Sequence, residues 1–410
     1  MTGHRKAIAW ASAYLFATLF WLPPQLHALD APLHLHGFIS QGYLHSTHNN
    51  YYGSSTQGSF DLTELGVNAF LAPTASLSLA AQLVSRRAGE LYDGTPRMDY
   101  AFMDYRLHSS TDGYGGVRLG RVKIPIGFHN ETRDVATTRP GILLPQSVYV
   151  EGLGIRDFYI GVDGMAAYWE WFQERSSLQM DLGLALPTTL QGETQAAFLR
   201  TVSAPGDLRL TSGQNLRLLY EHDGGLLRLA ATYSRVRTEY RPGGQDFLVR
   251  GQAPVDALVF SMEWNREDFS LVAEAVHRRV GRSGFIPFAP DATRYEQGYY
   301  VQATYRFARG WEAFLRHDSH WNDRDDRGGE QQSAASRGSQ SLAPQAPHRF
   351  FQHQWTLGMG WRMTPQWLLR AEWHHIHGTA LTPLADNPAF DQAGGRARWD
   401  LFGLQASFTF

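Results

Sequence analysis

The feature that most constrains this chain is a period-two alternation of apolar and polar residues, recurring between linkers that are short and long in turn. In one segment Leu216, Leu218 and Tyr220 share a face opposite Asn215, Arg217 and Glu221. In the next, Leu227, Leu229, Ala231 and Tyr233 oppose Arg228, Thr232 and Ser234. Leu258, Phe260, Met262 and Trp264 then oppose Ser261, Glu263 and Asn265. Later, Phe351, Trp355, Leu357, Met359 and Trp361 oppose Gln352, Gln354, Thr356 and Arg362. Successive side chains of a strand point to opposite faces, so each segment reads as a strand with one dry and one wet side. A soluble sandwich would alternate too, but its strands usually run to about five or six residues. These run to about ten to thirteen, the length of a tilted strand that crosses a bilayer.

Linker lengths carry the argument further. Short connections fall at Ala72-Pro73-Thr74, His222-Asp223-Gly224, Arg266-Glu267-Asp268, Ala308-Arg309-Gly310 and Met363-Thr364-Pro365. Long ones fall near 45–58, 125–158, 188–212, 238–254, 281–295, 322–347 and 378–396. Short periplasmic turns and long extracellular loops are the asymmetry of a bacterial membrane barrel. Counting predicts sixteen strands, among them 213–222, 225–237 and 296–307. The fold class expected is therefore all-β: a transmembrane antiparallel β-barrel of sixteen strands. Closure removes every sheet edge, which is what lets a sheet sit in lipid with its backbone paired. A barrel of that size has room for an aqueous channel.

Aromatic residues crowd the predicted strand ends. Trp169, Trp171, Trp264, Phe307, Trp311, Trp361 and Trp367 lie beside short turns. Tyr43, Tyr299, Trp321, Phe351 and Trp373 lie toward long loops. Two interfacial girdles are the expectation, with ordinary core aromatics as the alternative. The last strand alternates through Phe402, Leu404, Ala406 and Phe408 to Phe410, resembling the carboxy-terminal signal of outer-membrane barrels.

Arg5 and Lys6 precede an uncharged apolar run over 7–22, broken by Pro23 and Pro24. This has the layout of a secretory signal over 1–28, cut after Ala28, with the barrel occupying 29–410. A single membrane helix is the alternative. No passenger or independent plug domain is expected. Removing 1–28 takes away two cations and no acid, so the formal charge falls below the −2 of the whole chain. That balance excludes a nucleic-acid partner. The chain has no cysteine and so no disulfide framework. After the signal Lys123 is the only lysine, which reflects either codon bias or a need for guanidinium geometry in a pore wall.

Three stretches resemble Gram-negative outer-membrane porins, both general and phosphate-selective-porin-like. They are Leu35-His36-Gly37-Phe38-Ile39-Ser40-Gln41-Gly42-Tyr43, then Gly120-Arg121-Val122-Lys123-Ile124-Pro125-Ile126-Gly127-Phe128, then the run from Asn130-Glu131-Thr132-Arg133-Asp134 through Thr138-Arg139-Pro140-Gly141 to Tyr149. The resemblance implies a homotrimer in the outer membrane, in contact with lipid and lipopolysaccharide. It also implies a third external loop folded into the pore, and it names no solute.

The residues support an inward loop independently. The linker 125–158 holds Ile142, Leu143, Leu144, Val148 and Tyr149 with Pro125, Pro140 and Pro145. An apolar, proline-stiffened loop suits the inner barrel wall better than open water, although capping the outside or meeting another protomer would also bury it. Candidate pore-lining charges are Arg106, Arg118, Arg121, Lys123, Arg133 and Arg139, facing Glu64, Asp104, Glu131 and Asp134. Across a narrow passage they would set a transverse field, with a weak anion preference from the basic excess. The alternative is an ion-pair network that holds the loop. Alternation slips at Gly120, so a β-bulge there is expected to return Arg121 and Lys123 to the lumen; facing lipid would cost about 2–4 kcal/mol each near the midplane.

No cofactor is expected. His374, His375 and His377 cluster and His34 with His36 share a strand face, but no third metal ligand follows from the spacing. No Ser/His/Asp or paired-Asp arrangement suggests an enzyme. The expected function is passive diffusion of small hydrophilic solutes and ions. A substrate-selective channel for phosphate, other anions or organic acids is the alternative, and an adhesion or display barrel is the third.

Overall fold

The computed structural model describes residues 32–151, 161–190, 194–195, 205–285, 291–337, 344–388 and 395–410. The expected signal over 1–28 lies outside the described residues. Sixteen long strands form one antiparallel sheet: β1 His34–Ser46, β2 Ser59–Leu71, β3 Leu77–Ala88, β4 Arg97–Ser110, β5 Gly113–Lys123, β6 Gly161–Gln173, β7 Ser176–Ala185, β8 Asp207–His222, β9 Leu227–Arg241, β10 Val255–Arg266, β11 Phe269–Arg282, β12 Ala292–Ala308, β13 Trp311–Trp321, β14 Phe351–Arg362, β15 Trp367–Gly378 and β16 Arg398–Thr409. Each pairs with its neighbours in sequence, and β16 returns to β1 with Phe38 opposite Thr409 and Ser46 opposite Leu401. Two-residue ladders at Tyr92–Asp93, Thr188–Thr189 and Gly251–Gln252 prolong β3, β8 and β9 on the long-loop side.

The closing seam depends on a glycine. Gly37 and Phe410 exchange two backbone hydrogen bonds of 3.0 Å. A Cβ on Gly37 would sit 2.3 Å from Cζ of the Phe410 ring. The terminal ring therefore lies across the one outward position of β1 that has no side chain.

Burial is inverted relative to a soluble domain. Val67, Phe260 and Leu404 are 53%, 57% and 56% exposed, whereas Arg133, Arg316 and Glu64 are at most 1% exposed. An apolar exterior of this extent is stable in hydrocarbon and not in water. Paired rings mark both rims as expected. Trp311 stacks on Trp361 at 4.8 Å beside the short turns, and Tyr299 lies 5.9 Å from Trp321 toward the loops.

Two of the long linkers hold regular structure, and one strand start needs correction. Strand β8 starts at Asp207, six residues before the predicted 213, with a register shift between Leu210 and Ser212. Leu208 and Leu210 bury against Tyr240, Phe285 and Leu190, so the sheet rises past the membrane to cover an apolar cluster of its own. Polar residues 211–213 interrupt the alternation there and hide the strand. The described part of the long linker 322–347 contains a helix, α1 Glu330–Arg337. The Asp326 carboxylate accepts the backbone N–H groups of Gln331 and Gln332 in its first turn.

Candidate functional site in the barrel lumen

The segment 124–151 between β5 and β6 folds inward, as its apolar content suggests. Its hydrophobic residues divide between two walls. Ile142 and Leu143 join Leu44, Leu62, Ile376, Trp399 and Leu401 of β1, β2, β15 and β16. Ile126, Leu144, Val148 and Tyr149 join Val259, Val272, Val276 and Tyr300 of β10, β11 and β12.

A backbone laid on a barrel wall must find partners for its N–H and C=O groups. Here wall charges supply them. Arg217 of β8 donates to the Gly127 carbonyl at 3.3 Å, and Arg278 of β11 to that of Val148 at 2.7 Å. Arg316 of β13 donates to the Leu143 carbonyl at 3.2 Å. Arg370 of β15 reaches the carbonyls of Ala136 at 2.7 Å and Arg139 at 2.6 Å. Interleaved carboxylates accept the loop N–H groups: Phe128 to Glu274 at 3.1 Å, Ser147 to Asp318 at 3.1 Å and Ile142 to Glu372 at 2.5 Å. Glu274 also accepts Tyr149 Oη at 2.6 Å, Tyr300 Oη at 2.7 Å and Ser261 Oγ at 2.5 Å. Burial and the neighbouring carboxylate push the Tyr149 phenol well above its ordinary pKa, so it stays a donor. His129 at the loop start is pushed down to about 4, chiefly by burial, and is neutral.

Side-chain charges fasten the rest. Arg139 grips Glu64 of β2 with two bonds of 2.8 and 2.7 Å. Arg86 of β3 lies 3.1 Å from the same carboxylate and 3.5 Å from Glu151. Arg133 holds Glu151 at 3.1 Å. Each of these five side chains is nearly inaccessible to water. Lys123 contacts Asp99 at 2.7 Å and also pairs with Asp134 of the loop. Arg217 joins Glu131 at 2.7 Å to Asp181 at 2.8 Å.

Of the expected lining charges, Glu64, Lys123, Glu131, Arg133, Asp134 and Arg139 thus meet at the loop as contact ion pairs rather than as rows opposed across a gap. Arg118 and Asp104 form a separate pair at 2.9 Å on the β4–β5 wall, partly open to the lumen. Arg106 does not join either group. It is exposed toward the short-turn end, 6.0 Å from the Tyr114 ring. The bulge expected at Gly120 is absent, because pairing runs unbroken from Met103–Leu119 through Ala101–Arg121 and from Leu119–Met165 to Lys123–Gly161. Gly120 instead takes φ +126°, and a Cβ there would lie 2.4 Å from the Ala101 carbonyl. Arg121 keeps the outward parity of Leu119 and pairs with Asp163 at 3.4 Å near the long-loop rim, where the penalty for a charge falls. The ammonium of Lys123 alone turns inward. Sequence reasoning missed the wall set Arg217, Glu274, Arg278, Arg316, Asp318, Arg370 and Glu372. Their signal was present as charges on the wet row of later strands.

The histidine cluster is split by alternation. His374 is inward, with Nε2 3.1 Å from Glu372. His375 faces outward, 2.9 Å from Asp400. His377 lies beside the His353 ring, centroids 6.2 Å apart.

Among the described residues the loop leaves one sector of wall bare. On β11 to β16 the central inward residues, such as Val276, Gln302, Thr356 and Gln405, are buried. On β4 to β7 the inward row includes Tyr100, Phe102, Tyr114, Arg118, Ala166 and Gln179, all partly accessible, and Gly120, which is exposed. An inward side chain can be exposed only to the lumen, so open space lies against β4–β7.

A closed sixteen-strand barrel with an apolar exterior, short turns at one end and one loop laid inside is the porin fold of Gram-negative outer membranes. Solved structures share it across nearly the whole chain. The anion-selective porin from Comamonas acidovorans matches with a TM-score of 0.55 and 13% identity, over 93% of this chain and 100% of that one. The outer-membrane channel DcaP of Acinetobacter baumannii matches at 0.52 and 12% identity, over 93% and 97%. The trimer form of OmpT, an outer membrane protein of Vibrio cholerae, matches at 0.53 and 11% identity, over 93% and 99%. No family model matches the sequence, and no curated protein matches it. The likeness is one of fold.

Proposed function

We propose that this protein is an outer-membrane porin through which small hydrophilic solutes diffuse down their gradients, along the β4–β7 wall and past the inward loop. One observation carries the reading: the loop is fastened to the wall from β8 round to β3, while inward Tyr100, Phe102, Tyr114, Arg118, Ala166 and Gln179 stay partly accessible. A loop spread over every strand would have favoured a display barrel instead. Because the charges near the loop are neutralised by contact partners, the passage discriminates weakly between ions, and the sign of its preference rests on the Arg118–Asp104 wall. No covalent chemistry is assigned to it. Its neighbours are taken to be outer-membrane lipid, lipopolysaccharide and two further copies of the chain, the trimer resting on the form described for the Vibrio protein.

Planar-bilayer recording of the refolded protein under a KCl gradient tests this. Steady open steps, in groups of three for a trimer, are expected. Deleting residues 130–146 should raise the single-channel conductance. An unchanged conductance in that variant would remove the loop from the solute path, and a folded barrel without steps would refute the channel.

A further inference from the structure

Aromatic rings line the bare wall, and nothing in passive diffusion of ions requires them there. Tyr100 and Phe102 of β4 have centroids 5.6 Å apart. The Arg118 guanidinium lies 5.5 Å from the centre of the Phe102 ring and 4.6 Å from that of Tyr168, linking the two. Tyr168 is 6.1 Å from Tyr114, and Tyr114 is 5.8 Å from Phe172. All five rings stand on the inward row of their strands. The track starts beside the loop, where Lys123 sits 5.7 Å from the Tyr100 ring, and ends at Phe172, 40% exposed at the short-turn rim. From Tyr100 to Ser109, the partner of Tyr114, it covers roughly 30 Å along the strand at about 3.3 Å per residue.

Tyr168 is buried, but Tyr100, Phe102, Tyr114 and Phe172 keep accessible ring surface, and apolar ring surface left facing lumen water is unfavourable unless something covers it in use. What would cover it is limited by the polar groups beside the rings. Arg118 and Asp104 lie side by side at 2.9 Å. Tyr168 Oη donates to Asp104 at 2.7 Å, and Tyr114 Oη donates to Glu170 at 2.8 Å. Guanidinium and carboxylate alternate, so donors and acceptors are presented together and the local charge nearly cancels. A free anion or cation would meet both signs. A ring with an apolar face and an edge of adjacent hydroxyls meets a complement on both sides: C–H against the aromatic face, vicinal hydroxyls against Asp104 and Arg118. Gly120, Gly164 and Ala166 flank the aromatic residues and leave room for a ring to lie flat.

We infer that the β4–β7 wall is a sliding surface for neutral pyranose sugars and short oligosaccharides. The inference rests on the channel reading and names its solute. Maltotriose and, separately, benzoate are added to open channels in planar bilayers, and the current is followed as a function of concentration. Saturable current block by maltotriose and little by benzoate is expected. Phe102→Leu, which keeps the bulk but not the π face, should weaken that block by about tenfold. Phe102→Tyr should retain it. Steady KCl steps with no block by the sugar would overturn the sugar surface and leave the channel. Block by benzoate alone, or equal block in Phe102→Leu and the parent, would overturn it too. A folded barrel without KCl steps would remove the channel and this inference together.

Discussion

Replacing Glu64 by Gln tests what fixes the loop. In the folded chain Glu64 neutralises two buried guanidinium groups, those of Arg139 and Arg86, while Glu151 serves Arg86 and Arg133. The cluster therefore holds three cations and two anions, and Glu64→Gln leaves three against one. Removing one partner of a buried pair costs about 3–5 kcal/mol, because the remaining charge stays out of water without compensation. The barrel need not bear that cost, since its strand ladders do not involve the carboxylate. The loop can relieve it by lifting Arg139 off the wall. At about 1.4 kcal/mol per tenfold, the population with a detached loop should rise by roughly two to four orders of magnitude. The measurable consequences are faster amide hydrogen exchange over 133–149, larger and noisier conductance steps, and an unaltered barrel unfolding transition on gels. Adding Arg139→Met removes one orphaned cation and should restore part of the protection. Parent-like exchange and steady parent-like steps in Glu64→Gln would refute the idea that this cluster anchors the loop.

Two further outcomes follow from local geometry. Gly37→Val puts a branched side chain where the Phe410 ring lies 2.3 Å from even a Cβ, so an overpacking cost of about 1–3 kcal/mol should lower the yield of closed barrel on refolding; an undiminished yield would show the seam tolerates the contact. His129 has a folded pKa of about 4, below its unfolded value near 6.5, so the loop stability it supports is full above about pH 6.5 and declines as pH falls toward 4, by about 3 kcal/mol. Hydrogen exchange over 128–134 should therefore accelerate at pH 4.5, and His129→Phe should flatten the effect; an equal pH response in that variant would exclude the histidine as its source.

The barrel was legible because strand alternation is local. Leu216, Leu218 and Tyr220 announce their face without knowledge of any partner, and the interruptions give the turns. The inward course of 125–151 was legible for a similar reason: Ile142, Leu143 and Leu144 between prolines are unsuited to water. What failed were inferences that needed the third dimension. At Gly120 the slip in parity suggests an extra residue, but both ladders run through the glycine unbroken and Arg121 stays outward near the rim, where a charge costs less. Residues 211–213 look like a loop until Leu208 and Leu210 are seen to need cover from Tyr240. The pairing of Arg278 with the Val148 carbonyl joins residues 130 apart in sequence, and no spacing rule reaches that far.

The way the wall charges are used also shapes what the lumen can select. Arg217, Arg278, Arg316 and Arg370 would, as free cations, make a strongly anion-attracting surface. Each instead spends donors on a loop carbonyl, and the forked guanidinium is suited to this because it can bond a carbonyl and a carboxylate at once, as Arg217 does with Gly127 and Asp181. A lysine at any of these places would supply the charge without the fork. The loop in turn covers these arginines and shields them from the lumen, so the same contacts that fix its position also remove their charge from any solute's view. Discrimination then falls to the uncovered strands, β4 to β7, where the exposed chemistry is aromatic faces beside one guanidinium–carboxylate pair. Substitutions on the covered wall should therefore change the size and steadiness of the passage, and substitutions at Tyr100, Phe102, Asp104 or Arg118 should change which solutes it favours.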